Sequence, residues 1–146
     1  MGPQNKEKSV PLFHFEEIEH TADVALRVHG RDLKELLKNA ALGMTHLICE
    51  ENFLSGNNAQ QLVEISADDM EGLLVEWLSE LVFLVEVKSF IFQRVDIQTI
   101  SETYFRAEVY GKIASELKVY IKAVTYHNLK IVETETGLEA TVVFDI

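Results

Sequence analysis

Apolar and polar residues alternate in short runs at both ends of the sequence, and between those ends the pattern takes on a helical rhythm. Val24, Leu26 and Val28 alternate with less apolar neighbours up to Gly30, which predicts a β-strand. A looser alternation over residues 12–18 predicts an earlier strand. Residues 1–11 are polar and end in a proline, so they are expected to form a flexible leader.

Two central segments carry apolar residues at spacings of three and four, which is typical of amphipathic helices. Asp32 and Glu35 have the spacing of a capping box at the start of the first helix. Ser66 precedes the second, whose first turn is expected to hold Asp68, Asp69 and Glu71. The apolar positions are Leu33, Leu36, Leu37, Ala40, Ala41, Met44, Leu47 and Ile48 in the first helix, and Met70, Leu73, Leu74, Trp77, Leu78, Leu81, Val82, Leu84 and Val85 in the second.

After Ser89 the period changes to two, which favours strands. Gly111 and Thr136-Gly137 are predicted to supply turns. Residues 50–58 are predicted as a loop, and strands are expected at 61–66, 90–100, 104–110, 118–123, 126–132 and 140–146. The pattern predicts an α+β fold in which two amphipathic helices pack on a largely antiparallel or mixed β-sheet, a single two-layer domain over residues 12–146.

Composition narrows the function. Thirteen Lys and Arg against 24 Asp and Glu give a formal charge of −11, which disfavours direct binding of nucleic acid. No apolar run reaches membrane length and no signal peptide is visible, so a cytoplasmic protein is expected. The single cysteine, Cys49, falls on the apolar face of the first helix and is expected to be buried and inert.

Motifs for catalysis are missing from the sequence. It contains no Walker loop, no G-x-G-x-x-G, no G-x-S-x-G and no H-E-x-x-H, and its histidines lack metal-ligand spacing. The remaining candidates carry oxygen: Asp23 at a junction between strands, Asp145 at the end of the last strand, and the carboxylate of Ile146. If these segments meet in a sheet, their oxygens would suit Ca²⁺ or Mg²⁺ rather than zinc.

Each candidate also has a structural interpretation, and the residues alone leave both open. Asp23 could accept hydrogen bonds in an Asx-turn, and Asp145 could be an exposed residue on the solvent face. Lys122 could be a solvated charge on an edge strand or an ammonium near phosphate or carboxylate. His127 is most simply a half-buried strand histidine, and His20 a hydrogen-bonding turn residue rather than a general base.

Four motifs together resemble the archease family over residues 13–146: H-T-A-D-V at 20–24, L-L-V-E-W-L-S-E-L at 73–81, K-A-V-T-Y-H at 122–127 and the final F-D-I. The resemblance implies a small non-catalytic α+β protein that assists the guanylylation and turnover of an RtcB-type tRNA-splicing RNA ligase. It also implies a chaperone-like role toward tRNA methyltransferases.

The resemblance further implies a divalent-metal site, usually described for calcium, built from Asp23, Asp145 and Ile146, with Mg²⁺ or Mn²⁺ as alternatives. Lys122, His20 and His127 are further functional candidates, and each lies within one of these motifs. The segment between Gly111 and Lys122 is shorter and less polar than the family pattern, which leaves its contacts open. Two other hypotheses remain: a Mg²⁺-dependent hydrolytic or phosphoryl-transfer enzyme, and a metal-independent acidic module for a basic partner.

Overall fold

The computed structural model describes residues 23–51 and 54–146, and within these ranges it confirms the α+β class. The elements, in chain order, are β1 (Asp23–Gly30), α1 (Leu33–Ile48), β2 (Leu54–Ser66), α2 (Met70–Lys88), β3 (Phe90–Ile100), β4 (Tyr104–Ala114), β5 (Ala123–Thr125), β6 (Val132–Thr134) and β7 (Gly137–Asp145). The leader, the strand predicted at 12–18 and His20 lie outside the described residues.

The strands of the described ranges form two antiparallel sheets. In the first sheet β7 pairs with β1 along one side, and with β5 and β6 along the other. In the second sheet β4 lies between β2 and β3. Helix α1 packs against β1 and β3, and α2 contacts β2, β3 and β5, so the helices join the two sheets around one core.

Helix α1 begins as the capping spacing predicts. The side chain of Asp32 accepts a hydrogen bond from the main-chain N–H of Glu35 at 2.9 Å. The Glu35 carboxylate reaches back one residue further than in the usual capping box, because it accepts the main-chain N–H of Arg31 at 2.8 Å and pairs with the Arg31 guanidinium. The buried face of α1 is the predicted one, with Leu36, Leu37, Ala40, Ala41, Met44 and Ile48.

Helix α2 begins later than predicted. Ser66 is the last residue of β2, and Asp69 is the N-cap, whose carboxylate accepts the N–H of Gly72 at 2.7 Å. Asp68 therefore precedes the helix instead of lying in its first turn. Further along α2, the fully buried Trp77 donates its indole N–H to the carbonyl of Leu37 at 2.8 Å, which ties the two helices together.

Two local predictions in the second sheet are wrong. The segment 50–58 was predicted as a loop, but β2 already begins at Leu54 and accommodates a register shift between Leu54 and Asn58. Gly111 was predicted to form a turn, but it lies within β4. A Cβ atom there would collide with the carbonyl oxygen of Ile91 in β3, so the close approach of the two strands requires glycine.

The strands predicted at 118–123 and 126–132 are largely wrong. Residues 115–122 cross from the second sheet to the first without regular structure, because the N–H of Lys118 bonds to the carbonyl of Ile48 at the end of α1 instead of to a strand. Only Ala123–Thr125 pairs as a strand before a turn, in which Asn128 has a φ of 52°. The turn predicted at Thr136-Gly137 and the last strand are confirmed.

No α-helix in the described ranges is long and apolar enough to cross a membrane.

Candidate functional site

Strand β7 orients the last part of the chain by its alternation. Ala140, Val142 and Phe144 point into the core, and Phe144 is fully buried. Since successive side chains of a strand point to opposite faces, Asp145 lies on the solvent face, and it is exposed. The burial of Phe144 therefore fixes the direction of the Asp145 carboxylate.

Asp23 lies directly opposite Asp145. The antiparallel register of β1 and β7 pairs Asp23 with Asp145 and Val24 with Phe144. Residues that face each other across two antiparallel strands project to the same side of the sheet, with Cβ atoms roughly 4.5–5.5 Å apart. Both aspartates are exposed. The fold thus places two carboxylates side by side at one end of the first sheet.

This carboxylate pair lacks charge compensation from the described part of the chain. Within residues 23–51 and 54–146, neither Asp23 nor Asp145 forms an ion pair or a side-chain hydrogen bond. The described strands contain one other pair of opposed acids, Asp96 and Glu108. There Asp96 pairs with Arg94 at 3.2 Å, and Glu108 accepts the amide N–H of Gln60 at 3.0 Å. Within the described ranges, Asp23 and Asp145 are therefore the one pair of opposed acids in which neither carboxylate has a partner.

The neighbours of Asp145 extend the carboxylate pair toward β5. The main-chain N–H of Lys122 donates to the carbonyl of Asp145 at 2.7 Å, and Ala123 is its register partner. Lys122 is exposed, but it precedes β5 instead of lying on an edge strand as one interpretation predicted. Ile146 follows β7 and is partly buried. Asp23, Asp145, Ile146 and Lys122 therefore meet at one end of the sheet.

His127 does not join this group. It was predicted as a half-buried strand residue, but it is exposed in the turn after β5, on the far side of that short strand from Lys122. Its N–H donates to the Thr125 hydroxyl at 3.3 Å, and its ring nitrogen Nε2 lies 3.3 Å from the amide nitrogen of Asn128. These contacts give His127 a local role in the turn.

The number of ligands at the carboxylate pair is small. Across the part of the chain that the structure describes, no group of three or more His, Cys, Asp or Glu side chains gathers in a way that could hold a metal ion. Ca²⁺ takes roughly 6–8 oxygen ligands, so two carboxylates and main-chain oxygens would fill part of its coordination sphere. The arrangement can hold a hard cation only if water or a second molecule contributes the remaining oxygens.

Cys49 is buried at the end of α1, as predicted. Removal from solvent raises the pKa of its thiol, which keeps the sulfur protonated and unreactive at neutral pH. The thiol lies 3.5 Å from the carbonyl oxygen of Glu116 and so helps to seat the 115–122 segment.

A groove that no sequence pattern indicated lies beside residues 115–122. Its cavity volume is about 470 Å³, and it lies where the ends of α1 and α2 face residues 115–122. Lys122 lines one end of the groove. The departure of the 111–122 segment from the family pattern was a signal in the sequence, but it could not show that a cavity forms there.

Comparisons with known proteins identify one family. A model of the archease protein family matches residues 15–146. Protein archease of Methanosarcina acetivorans is 36% identical over 140 residues, which cover 90% of this chain and 95% of that protein. Protein archease of Archaeoglobus fulgidus is 33% identical over 135 residues, covering 88% and 96%.

Two solved structures share the fold. The crystal structure of an archease, possible chaperone, from Thermotoga maritima has a TM-score of 0.67 at 23% identity and covers 92% of this chain and 99% of that one. The solution structure of a protein from Methanobacterium thermoautotrophicum has a TM-score of 0.65 at 24% identity, covering 88% and 96%.

Proposed function

Since the chain belongs to the archease family, we propose that it is a non-catalytic accessory protein that binds a divalent cation and activates an RtcB-type tRNA-splicing RNA ligase. In this role it promotes guanylylation of the ligase and so supports repeated turnover. The archease of Thermotoga maritima is described as a possible chaperone, which agrees with an accessory role. The observation that carries the proposal is the direct pairing of Asp23 with Asp145 on the exposed face of the sheet.

The chemistry of the carboxylate pair fits a hard cation. Two like charges directly opposed across a sheet repel one another. A cation bound between them is attracted to both carboxylates, and this attraction outweighs the repulsion. Carboxylate oxygens suit Ca²⁺, with Mg²⁺ and Mn²⁺ as alternatives, whereas zinc would call for His or Cys ligands. Asp96 and Glu108 offer the same geometry, but Arg94 and Gln60 already occupy their oxygens. Asp23 and Asp145 have no such partners within the described ranges, which supports them as the cation ligands.

The chain's own residues would then have separate tasks. Asp23 and Asp145 hold the cation, and main-chain oxygens of Ile146 add to the ligand set. The two strands fix the carboxylates before binding, which lowers the entropy lost when the site fills. The bound cation supplies positive charge and open coordination positions at the edge of the protein. Lys122, exposed beside Asp145, places an ammonium where a phosphate or carboxylate of the partner would arrive.

Charge also supports a protein partner over direct contact with RNA. A chain with a formal charge of −11 repels phosphate backbones, while an enzyme that handles RNA presents basic surface. Opposite potentials accelerate association and fix the orientation of a complex. An acidic accessory protein is therefore well matched to the basic surface of an RNA ligase.

The test combines metal binding with ligase activation. Asp23→Asn and Asp145→Asn remove one charge each and keep the size of the side chain, and Asp96→Asn is the matched control from the compensated pair. Calorimetric titration with Ca²⁺ and Mg²⁺ should give binding to wild type and Asp96→Asn and loss of binding in the other two. A ligation assay with limiting ligase should show the same division in stimulation of turnover.

Three results would contradict parts of the proposal. Full stimulation by both Asp23→Asn and Asp145→Asn would remove the carboxylate pair from the function. Stimulation by wild type without any heat of metal binding would favour a metal-independent acidic module. Turnover of GTP or an RNA phosphate by the purified chain, without ligase, would indicate an enzyme.

A further inference from the structure

The groove beside residues 115–122 has an apolar floor. Ile48 from α1 and Val82 and Val85 from α2 form one side, and Leu117 and Ile121 from the crossing segment form the other. Ile48 also belongs to a small buried hydrophobic cluster with Cys49, Ile91 and Ala114, and Val85, Leu117 and Ile121 pack against this cluster. The floor is therefore supported by packed side chains, which favours a groove that keeps its shape when empty.

The rim of the groove is polar and accessible. Glu86 and Glu116 line it, both exposed and neither in an ion pair within the ranges that the structure describes. Tyr120 also lines the groove, with 73% of its surface exposed. A compact apolar centre, a charged rim and an exposed tyrosine are features of protein-binding surfaces. In small-molecule pockets a few polar groups usually point inward to fix the ligand, whereas here the two carboxylates lie at an exposed rim.

The groove lies next to the end of β7 that carries Asp145. Lys122 lines the groove with its neighbours 119–121, and its main-chain N–H donates to the carbonyl of Asp145 at 2.7 Å. This single main-chain hydrogen bond connects Lys122, at the edge of the groove, to Asp145, the residue opposite Asp23. A protein partner large enough to cover both Asp145 and Lys122 would therefore also contact the groove.

We propose that this groove docks an apolar segment of the RNA ligase, flanked by a basic residue that faces Glu86 and Glu116, while the carboxylate pair engages the ligase through the cation. The inference rests on the proposed function, because the partner is the same. The formal charge of −11 disfavours a second copy of this chain as the occupant, since two such surfaces repel. Tyr120 would lie against the docked segment, and the two glutamates would fix its orientation.

Binding to purified ligase, immobilised on a biosensor in saturating Ca²⁺, tests the docking groove. Tyr120→Ala should weaken binding about tenfold, as removal of an interface tyrosine typically does. Glu86→Lys should weaken it by a similar factor and should slow association most at low salt. Leu62→Ala, which removes an exposed apolar side chain on β2, and Glu133→Lys, which reverses an exposed charge on β6, are the controls and should bind as wild type does.

Two further measurements separate the groove from the metal site. Calorimetric Ca²⁺ binding should stay within twofold of wild type in Tyr120→Ala and Glu86→Lys, whereas Asp145→Asn should lose it. If wild type binds and stimulates the ligase but both groove variants bind it equally well, the groove inference is overturned and the proposed function stands. If wild type does not bind the ligase, both are overturned.

The alternative occupants give different results. A concentration-dependent dimer in sedimentation that Tyr120→Ala abolishes would assign the groove to a second copy of the chain. Hydrogen exchange along 115–122 that accelerates when residues 1–11 are removed would assign it to the chain's own leader. Either result would overturn docking of the ligase at this place.

Discussion

Asp23→Asn should make the metal-free protein more stable, although it removes a residue of the proposed site. In wild type two carboxylates face each other at the end of the first sheet, and within the described ranges no cation compensates them. Asparagine keeps the shape of the side chain and removes one charge. The repulsion between strands β1 and β7 then disappears, so unfolding should require more free energy in the presence of a chelator.

The size of this effect follows from the register. Opposed side chains lie about 5 Å apart, and two unit charges at that distance in a medium with the dielectric constant of water repel by about 0.8 kcal/mol. Salt at 0.1 M, with a Debye length of about 10 Å, reduces this to about 0.5 kcal/mol. For a chain of 146 residues, 0.5 kcal/mol corresponds to a rise in Tm of about 2 °C.

Calcium should reverse the order of stability. A ligand at a hundredfold excess over its Kd stabilises the folded state by about 2.7 kcal/mol, which is about 10 °C in Tm for a chain of this length. Wild type should gain this increment, and Asp23→Asn should gain little of it. The variant is then more stable in chelator and less stable in calcium.

Thermal and urea unfolding in chelator and in millimolar Ca²⁺ measure the reversal, with Asp96→Asn as the control that should keep the full calcium shift of wild type. The stabilisation in chelator should shrink as NaCl rises. This prediction is refuted if Asp23→Asn is clearly less stable than wild type without metal, which would indicate that the charge of Asp23 makes a favourable interaction. It is also refuted if the variant keeps the full calcium shift.

Three other substitutions test the fold. Trp77→Phe should lower the free energy of unfolding by about 2–3 kcal/mol in urea titrations, because it removes volume from the core and the hydrogen bond to the Leu37 carbonyl. Gly111→Ala should lower it by about 3 kcal/mol, since its methyl group would collide with the main chain of β3, and a normal urea midpoint would contradict the close approach. Hydrogen bonds from Arg31 lower the pKa of Glu35 below its usual 4.5. The stability that wild type gains over Glu35→Gln should therefore be present above pH 4.5 and disappear as the pH falls through the lower folded-state pKa, as urea midpoints across pH would show.

The elements that the sequence predicted well are those whose own pattern matches their surroundings. Helix α1 combines an apolar face with a capping residue, Asp32, and the structure has both. Strand β7 is the central strand of its sheet, and its alternation from Ala140 to Asp145 is the alternation of core and solvent. In these elements local preference and tertiary packing lead to the same conformation.

The predictions failed where contacts distant in sequence decide the conformation. The pattern over 118–123 favours a strand, but the segment has no long partner strand and instead bonds to the end of α1 through Lys118. Gly111 is typical of a turn by residue type, and only the position of Ile91 shows that it serves close packing of two strands. Neither the contact of Lys118 with α1 nor that of Gly111 with Ile91 can be identified from the local sequence, because the pattern of a segment does not indicate which element it packs against.

The site divides in the same way. Residue chemistry identified Asp23 and Asp145 as carboxylates that could bind a hard cation. The resemblance assigned them to a divalent-metal site, and this role stays a prediction. Whether the two aspartates lie opposite each other depends on the register of β1 against β7. The apolar pattern determines which side chains face the core, but it does not determine which residues are paired. Ala123 ended a strand predicted at 118–123, but the sequence could not identify it as the register partner of Asp145, because the pattern of a short strand does not indicate which strand it pairs with.

The core and the carboxylate pair are coupled by that register. Val24 and Phe144 are opposed in the core, and a slip of one residue would expose Phe144 and turn Asp145 inward. The loss of a fully buried phenylalanine from the core, about 2–3 kcal/mol by burial alone, opposes such a slip. The repulsion of about 0.5 kcal/mol between the two aspartates is several times smaller. The packing of Phe144 can therefore hold two like charges together in the absence of metal, which is what a preformed cation site requires.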